Sequence, residues 1–140
     1  MGFPKTKATA ILKAVFNTGN KIALLTAVSG DSYTEVSGTK DSNGYERYTI
    51  KASDFSTTNG VTTSADNILF GLALESWGTV VGIAVFSGSS LEYLAELKVP
   101  KMVAEDTVPV FKKYNEADEE GIKVTLDVVT AASASVTGTT

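Results

Sequence analysis

The chain has 140 residues, 43% of them hydrophobic and 20% charged, with a net charge of −4. That is enough for one domain with a genuine core, burying roughly 68–70% of its unfolded surface, and too apolar a composition for disorder. Histidine and cysteine are both absent, which excludes disulfides, thiolate nucleophiles, Ser-His-Asp and Cys-His catalysis and the commonest metal ligands, while the acidic balance argues against nucleic acid, whose phosphates require clustered Lys and Arg.

At the N-terminus, Ala8, Ile11, Leu12, Val15 and Phe16 fall on one helical stripe, with Lys5, Lys7 and Lys13 off it. Thr6, after Pro4, reads as the N-cap and Gly19 as the C-terminal stop. A helix this short is marginal in water and must dock, either on its own domain or, as an arm, on a neighbouring subunit. Ile11, Leu12, Val15 and Phe16 are therefore interface candidates. The same lysines interrupt any signal-peptide core, and no apolar run reaches the ~18–20 residues that span a bilayer. The expected site of synthesis is the cytoplasm of the producing cell, with no membrane partner.

After Gly19 the pattern is strands and turns. Ile22 to Val28 is apolar on both alternating faces. Tyr48, Ile50 and Ala52 alternate with Arg47, Thr49 and Lys51, as in a half-buried strand. Ile68 to Leu74 is a further apolar segment. Trp77 to Phe86 is nearly continuous in apolar character, with two glycines and no charge, the pattern of a central strand buried on both faces. Leu91, Tyr93, Ala95, Leu97 and Val99 alternate with Glu92, Leu94, Glu96 and Lys98, and Pro100 disfavours a central position beyond them. Thr107 to Phe111, carrying Pro109, reads as an edge strand, and Ile122, Val124, Leu126 and Val128 alternate with Lys123, Thr125 and Asp127. Turn signals fall at Ser29-Gly30-Asp31, Asn43-Gly44, Asn59-Gly60, Ser87-Gly88-Ser89-Ser90 and Gly121. About eight short strands at this spacing predict a mainly β fold: an antiparallel β-sandwich or jelly-roll-like domain with one short amphipathic helix. The predicted division is an arm and helix over 1–19, a sandwich over 20–129 and a Ser/Thr/Ala-rich tail over 130–140. Such a tail orders only against another surface, which adds Val136 to the interface candidates.

The search for chemistry finds no G-x-S-x-G turn, no phosphate-cradling loop and no metal-ligand spacing. Glu92 and Glu96 share a strand face ~13 Å apart at the strand rise, beyond the ~5–9.5 Å that glycosidases use, so a solvated face is expected. Asp118, Glu119 and Glu120 lack the alternation of a Ca²⁺ loop and read as part of a solvated loop over 112–120. No catalytic, cofactor-binding or metal-ligating residue is predicted, and no cofactor. Trp77 and Tyr45 are candidates for a sugar-stacking platform, while Tyr48 and Tyr93 share parity with core aliphatics and are expected in the core.

Four segments carry a resemblance: Thr34-Glu35-Val36-Ser37-Gly38; Gly44-Tyr45-Glu46-Arg47; Trp77-Gly78-Thr79-Val80 leading to Ile83 and Phe86; and Val124-Thr125-Leu126-Asp127. In this order, over roughly residues 8–128, the chain resembles a family of short tailed-bacteriophage virion proteins commonly labelled tail fibre or minor structural protein. The 112–120 loop and the tail depart from that pattern. The resemblance implies a β-rich virion component without enzymatic activity, whether a head decoration or fibre-base protein or a tail or baseplate piece. Symmetric packing as a homo-oligomer, with other virion proteins as partners, would suit such a role. The alternative expectation is a carbohydrate-binding module that meets a host surface glycan during adsorption.

Overall fold

The computed structural model describes residues 2–117 and 121–126. Helix α1 spans Lys5–Val15, and the strands are β1 (Lys21–Ser29), β2 (Ser32–Glu35), β3 (Tyr48–Thr49), β4 (Phe55–Thr58), β5 (Val61–Ser64), β6 (Ile68–Leu69), β7 (Gly78–Ser87), β8 (Ser90–Val103), β9 (Val110–Phe111) and β10 (Lys123–Thr125). All pairings among them are antiparallel. The main sheet runs β2-β1-β7-β8, with β3 sharing the outer edge of β1; β10-β5-β4 form a three-stranded sheet and β6-β9 a two-stranded ribbon.

The apolar run read as a central strand is β7, flanked on both sides by β1 and β8. Register explains its two buried faces. On one face, Ile22 lies opposite Val85 and Val85 opposite Tyr93, while Leu24 lies opposite Ile83 and Ile83 opposite Ala95. These residues join one hydrophobic cluster with Leu12 and Phe16 of the helix, Phe55, Ile122 and Val124 from the three-stranded sheet, and Ile68, Phe70 and Phe111 from the ribbon. The helix, the small sheet and the ribbon together make the second layer that a sandwich requires. On the other face, Ala23, Leu25, Ala84 and Phe86 form a smaller cluster with Val28 and Leu94.

The Ser29–Ser32 and Ser87–Ser90 turns close hairpins where the sequence signals them, and Asn59-Gly60 joins β4 to β5 with φ of 50° and 79°. Strand β8 is longer than its alternation predicts and runs through Pro100, which an edge strand tolerates because one side of its backbone has no ladder partner. Its register shifts around that proline: Gly82 faces Glu96 while Val80 faces Lys101. Tyr48 and Tyr93 pack on the core as expected. The segments around Arg47–Ala52 and Ile68–Leu74 differ from expectation, each reduced to two strand residues. Strands β4 and β5 have no apolar alternation to announce them, since the inward positions of β5 are Thr62 and Ser64. Both are buried and satisfied: Thr62 shares a 2.7 Å hydrogen bond with Thr57, and Ser64 Oγ accepts from Ile122 N at 3.1 Å and donates to Lys112 O at 3.0 Å.

The helix also corrects two readings. Thr6 lies within its first turn; Pro4 occupies the N-cap with no side-chain cap, its ring-fixed φ of −56° leading directly into helix. At the other end Asn20, not Gly19, caps: its Nδ2 donates to the carbonyls of Ala14 (3.2 Å) and Val15 (2.9 Å). Gly19, at φ +93°, turns the chain instead, and its N–H donates to Ile50 O at 2.9 Å.

Candidate functional site

Three of the four recognisable segments converge on one polar node at the outer edge of β1. Strands β2 and β3 pair with different parts of that edge, Leu25 facing Glu35 and Ile22 facing Tyr48. The gap between them falls at Leu24. Its carbonyl accepts from Val36 N at 2.9 Å, but its N–H donates to the Tyr45 hydroxyl at 3.0 Å. A side chain thus completes the ladder where no strand does, which a buried N–H requires.

The Tyr45 hydroxyl donates in turn to Glu35 Oε2 at 2.5 Å. Arg47 grips the same carboxylate with two hydrogen bonds, Nε to Oε2 at 3.0 Å and Nη2 to Oε1 at 2.8 Å, the fork geometry that makes such pairs specific. Its guanidinium lies 3.9 Å from the centre of the Phe86 ring, a cation–π contact that covers the second face of the main sheet. Burial alone raises the Glu35 carboxyl, but the hydrogen bonds from Arg47 and Tyr45 and the nearby guanidinium charge outweigh it and hold the group below its ordinary range. Burial, then donation to Glu35, pushes the Tyr45 phenol far up, so it stays protonated and remains a donor.

Below this network Tyr45 meets Trp77 edge to face, with centroids 5.3 Å apart and an interplanar angle of 82°. Trp77 Nε1 donates to Asn43 O at 2.8 Å. The Asn43 side chain receives Tyr45 N at 3.1 Å and donates to Ser37 O at 2.7 Å. Glycines 38 and 44 belong to the same knot. Both have positive φ, and a Cβ would strike the Asn43 amide from Gly38 and the Leu72 carbonyl from Gly44. A second, smaller tie holds β3: Asp54, buried, accepts from the Tyr48 hydroxyl at 2.7 Å and from Lys51 N at 2.8 Å.

The candidates separate as follows. Trp77 and Tyr45 are brought together, but each is only 5% exposed, so neither ring offers a face to a sugar; packing and hydrogen bonding use both. Leu12 and Phe16 are buried against the chain's own core, with Ile11 and Val15 half-exposed beside them, and the helix packs on β4, β5 and β7, with Thr9 Oγ1 accepting from Gly60 N at 2.9 Å. Val136, Asp118, Glu119 and Glu120 lie outside the described residues. Glu92 and Glu96 are both exposed. Among the described residues no cluster of three or more acidic groups is placed to hold a metal ion, and no helix is long and apolar enough to cross a membrane.

Two features escape the sequence reading. One is a cleft of about 330 Å³ between β8 and β9–β10, lined by Tyr93, Leu97, Phe111, Tyr114, Ile122 and Lys123 among others. The other is a row of large apolar side chains on the ribbon, open to solvent; within Ile68–Leu74, a period of two starting from an inward Ile68 and Phe70 would have signalled Leu69 as outward.

Comparison with known proteins gives a family model, described as podophage GP4 fiber I protein gp80, that matches residues 5–116. The match takes in α1, β1 to β9 and every residue of the polar node, and stops before β10. No curated protein and no solved structure matches the chain.

Proposed function

We propose, since the chain belongs to the podophage GP4 fiber I protein gp80 family, that it serves as a fibre-type structural protein of the tailed-phage virion, assembling with copies of itself and with other virion proteins and catalysing no reaction. The observation that carries this reading is the family match over the whole polar node. The node's chemistry supports it: the Glu35 carboxylate, the Tyr45 hydroxyl and the Arg47 guanidinium are occupied by one another and by the Leu24 backbone. Groups held this way brace a sheet and leave no nucleophile–base pair free for a substrate.

Within the particle, the fibre description favours the tail apparatus or the fibre base over the head surface. Immunogold labelling of intact particles tests the placement. Label at the tail or its fibres is the expected result, and label spread over the capsid would replace the fibre role with head decoration.

A second reading, glycan recognition during adsorption, finds its support in the cleft beside β8. There Lys123 Nζ sits 5.6 Å from the centre of the half-exposed Tyr114 ring, an aromatic face next to a cation that suits an acidic sugar. Binding of the pure protein to host surface polysaccharide, weakened by Tyr114→Ala, is its test; absence of binding removes it.

A further inference from the structure

We propose that the outward face of the β6–β9 ribbon is an isologous contact between two copies of this chain. The inference rests on the reading that the protein assembles with itself and names the surface that does so. Ile68 faces Phe111 and Leu69 faces Val110 in the ribbon. The pairing continues irregularly, with Phe70 N donating to Pro109 O at 2.9 Å, Ala73 N to Thr107 O at 2.8 Å and Asp106 N to Ala73 O at 2.8 Å. The register breaks between Phe70 and Ala73, and burial shows which side chains face out. Ile68, Phe70, Ala73 and Phe111 turn into the core. Leu69, Leu72, Leu74 and Val108 stand outside at 55%, 46%, 45% and 45% exposure. No charged residue lies within 68–74 or 107–111. A row of leucines on paired segments, free of charge, is the kind of surface that is covered in its working assembly.

Charge at the two ends says what covers it. Beyond Leu74 stands Glu75, and Glu105 and Asp106 lie beside it across the ladder, so this end carries three carboxylates. At the opposite end Lys112 and Lys113 follow Phe111, and Lys101 Nζ lies 5.2 Å from the Phe111 ring centre. Asp66 is also there, and among the described residues this end is the more basic of the two. A second copy laid parallel would set like charge on like. A copy related by a two-fold axis through the middle of the row sets acidic end on basic end twice over, with leucines between. Self-complementary patches of this form close as dimers, with an apolar centre and a charged rim that fixes orientation.

The test uses the full chain and its native mass, with far-UV circular dichroism to confirm folding. One variant, Glu75→Lys with Glu105→Lys, makes both ends basic; another, Lys101→Glu with Lys113→Glu, makes both acidic. Each alone is expected to self-associate at least about tenfold more weakly than the wild type, because both end contacts become repulsive. Mixed one to one, the two variants are expected to recover the wild-type mass, since every end contact is again between opposite charges. Variants that keep the wild-type mass, or a mixture that fails to recover it, overturn the surface while leaving self-assembly standing. Variants that keep their mass but no longer enter particles assign the ribbon to a different virion protein and also overturn it. A wild type that is monomeric throughout overturns both the surface and the self-assembly reading beneath it.

Discussion

The polar node at the edge of β1 and the leucine row on the ribbon are opposites. The node holds a half-buried ion pair over two buried aromatic rings, and its polar groups satisfy one another. The ribbon, built from apolar residues, leaves four of them in water. The difference teaches where each kind of information sits. Segments that are recognisable in sequence, Thr34–Gly38, Gly44–Arg47 and Trp77–Val80, contribute to the interior framework. The exposed apolar row of the ribbon carries none of these motifs.

Substitutions at the two regions should therefore act on different observables. The largest stability effect is expected for Trp77→Ala, which removes a buried indole, its contact with Tyr45 and its hydrogen bond to Asn43. A loss of about 3–5 kcal/mol is expected from denaturant unfolding; a much smaller loss would mean the node is not part of the framework. Tyr45→Phe keeps the ring but leaves Leu24 N–H without its acceptor inside the protein. Equilibrium unfolding should show a loss of about 1–3 kcal/mol.

Glu35→Gln sharpens the comparison through pH. The carboxyl's folded-state pKa lies below its ordinary value, because the Arg47 and Tyr45 contacts overcome the effect of burial. Its stabilising contribution is thus fully present above the ordinary carboxylate pKa of about 4.3 and is lost as pH falls through the lower folded value. Unfolding midpoints followed from neutral pH into acid should show that component in the wild type and not in the variant. The smallest stability effect belongs to the ribbon. Leu69→Ser should change unfolding free energy by no more than about 0.5 kcal/mol while lowering the native mass of the assembly. If it unfolds the protein instead, the leucine row belongs to the framework and the contrast between the regions disappears.

Much of the fold was legible where burial is apolar and periodic. Ile22–Val28, Trp77–Phe86 and the Leu91–Val99 alternation became β1, β7 and β8; on β8 Tyr93, Ala95 and Leu97 turn to the core as expected, but Leu91 and Val99, toward the strand's turn and its proline, are exposed. Strands β4 and β5 were not legible, because Thr62 and Ser64 replace aliphatics at the buried positions and hydrogen bonds replace hydrophobic contacts. Strand β2 was missed for the opposite reason: Ser32, Tyr33 and Thr34 have no buried face to generate a pattern. At the node, sequence singled out Trp77 and Tyr45 as aromatic and therefore as sugar platforms. It did not reveal that Glu35 and Arg47, twelve positions apart, would meet, since that depends on β2 and β3 folding back onto the same edge of β1. The apolar row was half legible: a period of two from Ile68 and Phe70 marks Leu69 as outward, but it would also put Leu72 and Leu74 inward, where the structure exposes both.

The pairing of β10 with β5 carries a consequence in time. Strand β5 acquires β4 at once through a tight turn, but its other neighbour is encoded some sixty residues later. At synthesis rates of about 5–20 residues per second, that edge stands open for roughly 3–12 s. Exposed edges recruit foreign strands most readily when they are long and apolar. This one is four residues long, and three of its four side chains are hydroxyl-bearing. The same polar residues that hide the strand from sequence inspection also make it a poor template for aggregation while the nascent chain waits for β10.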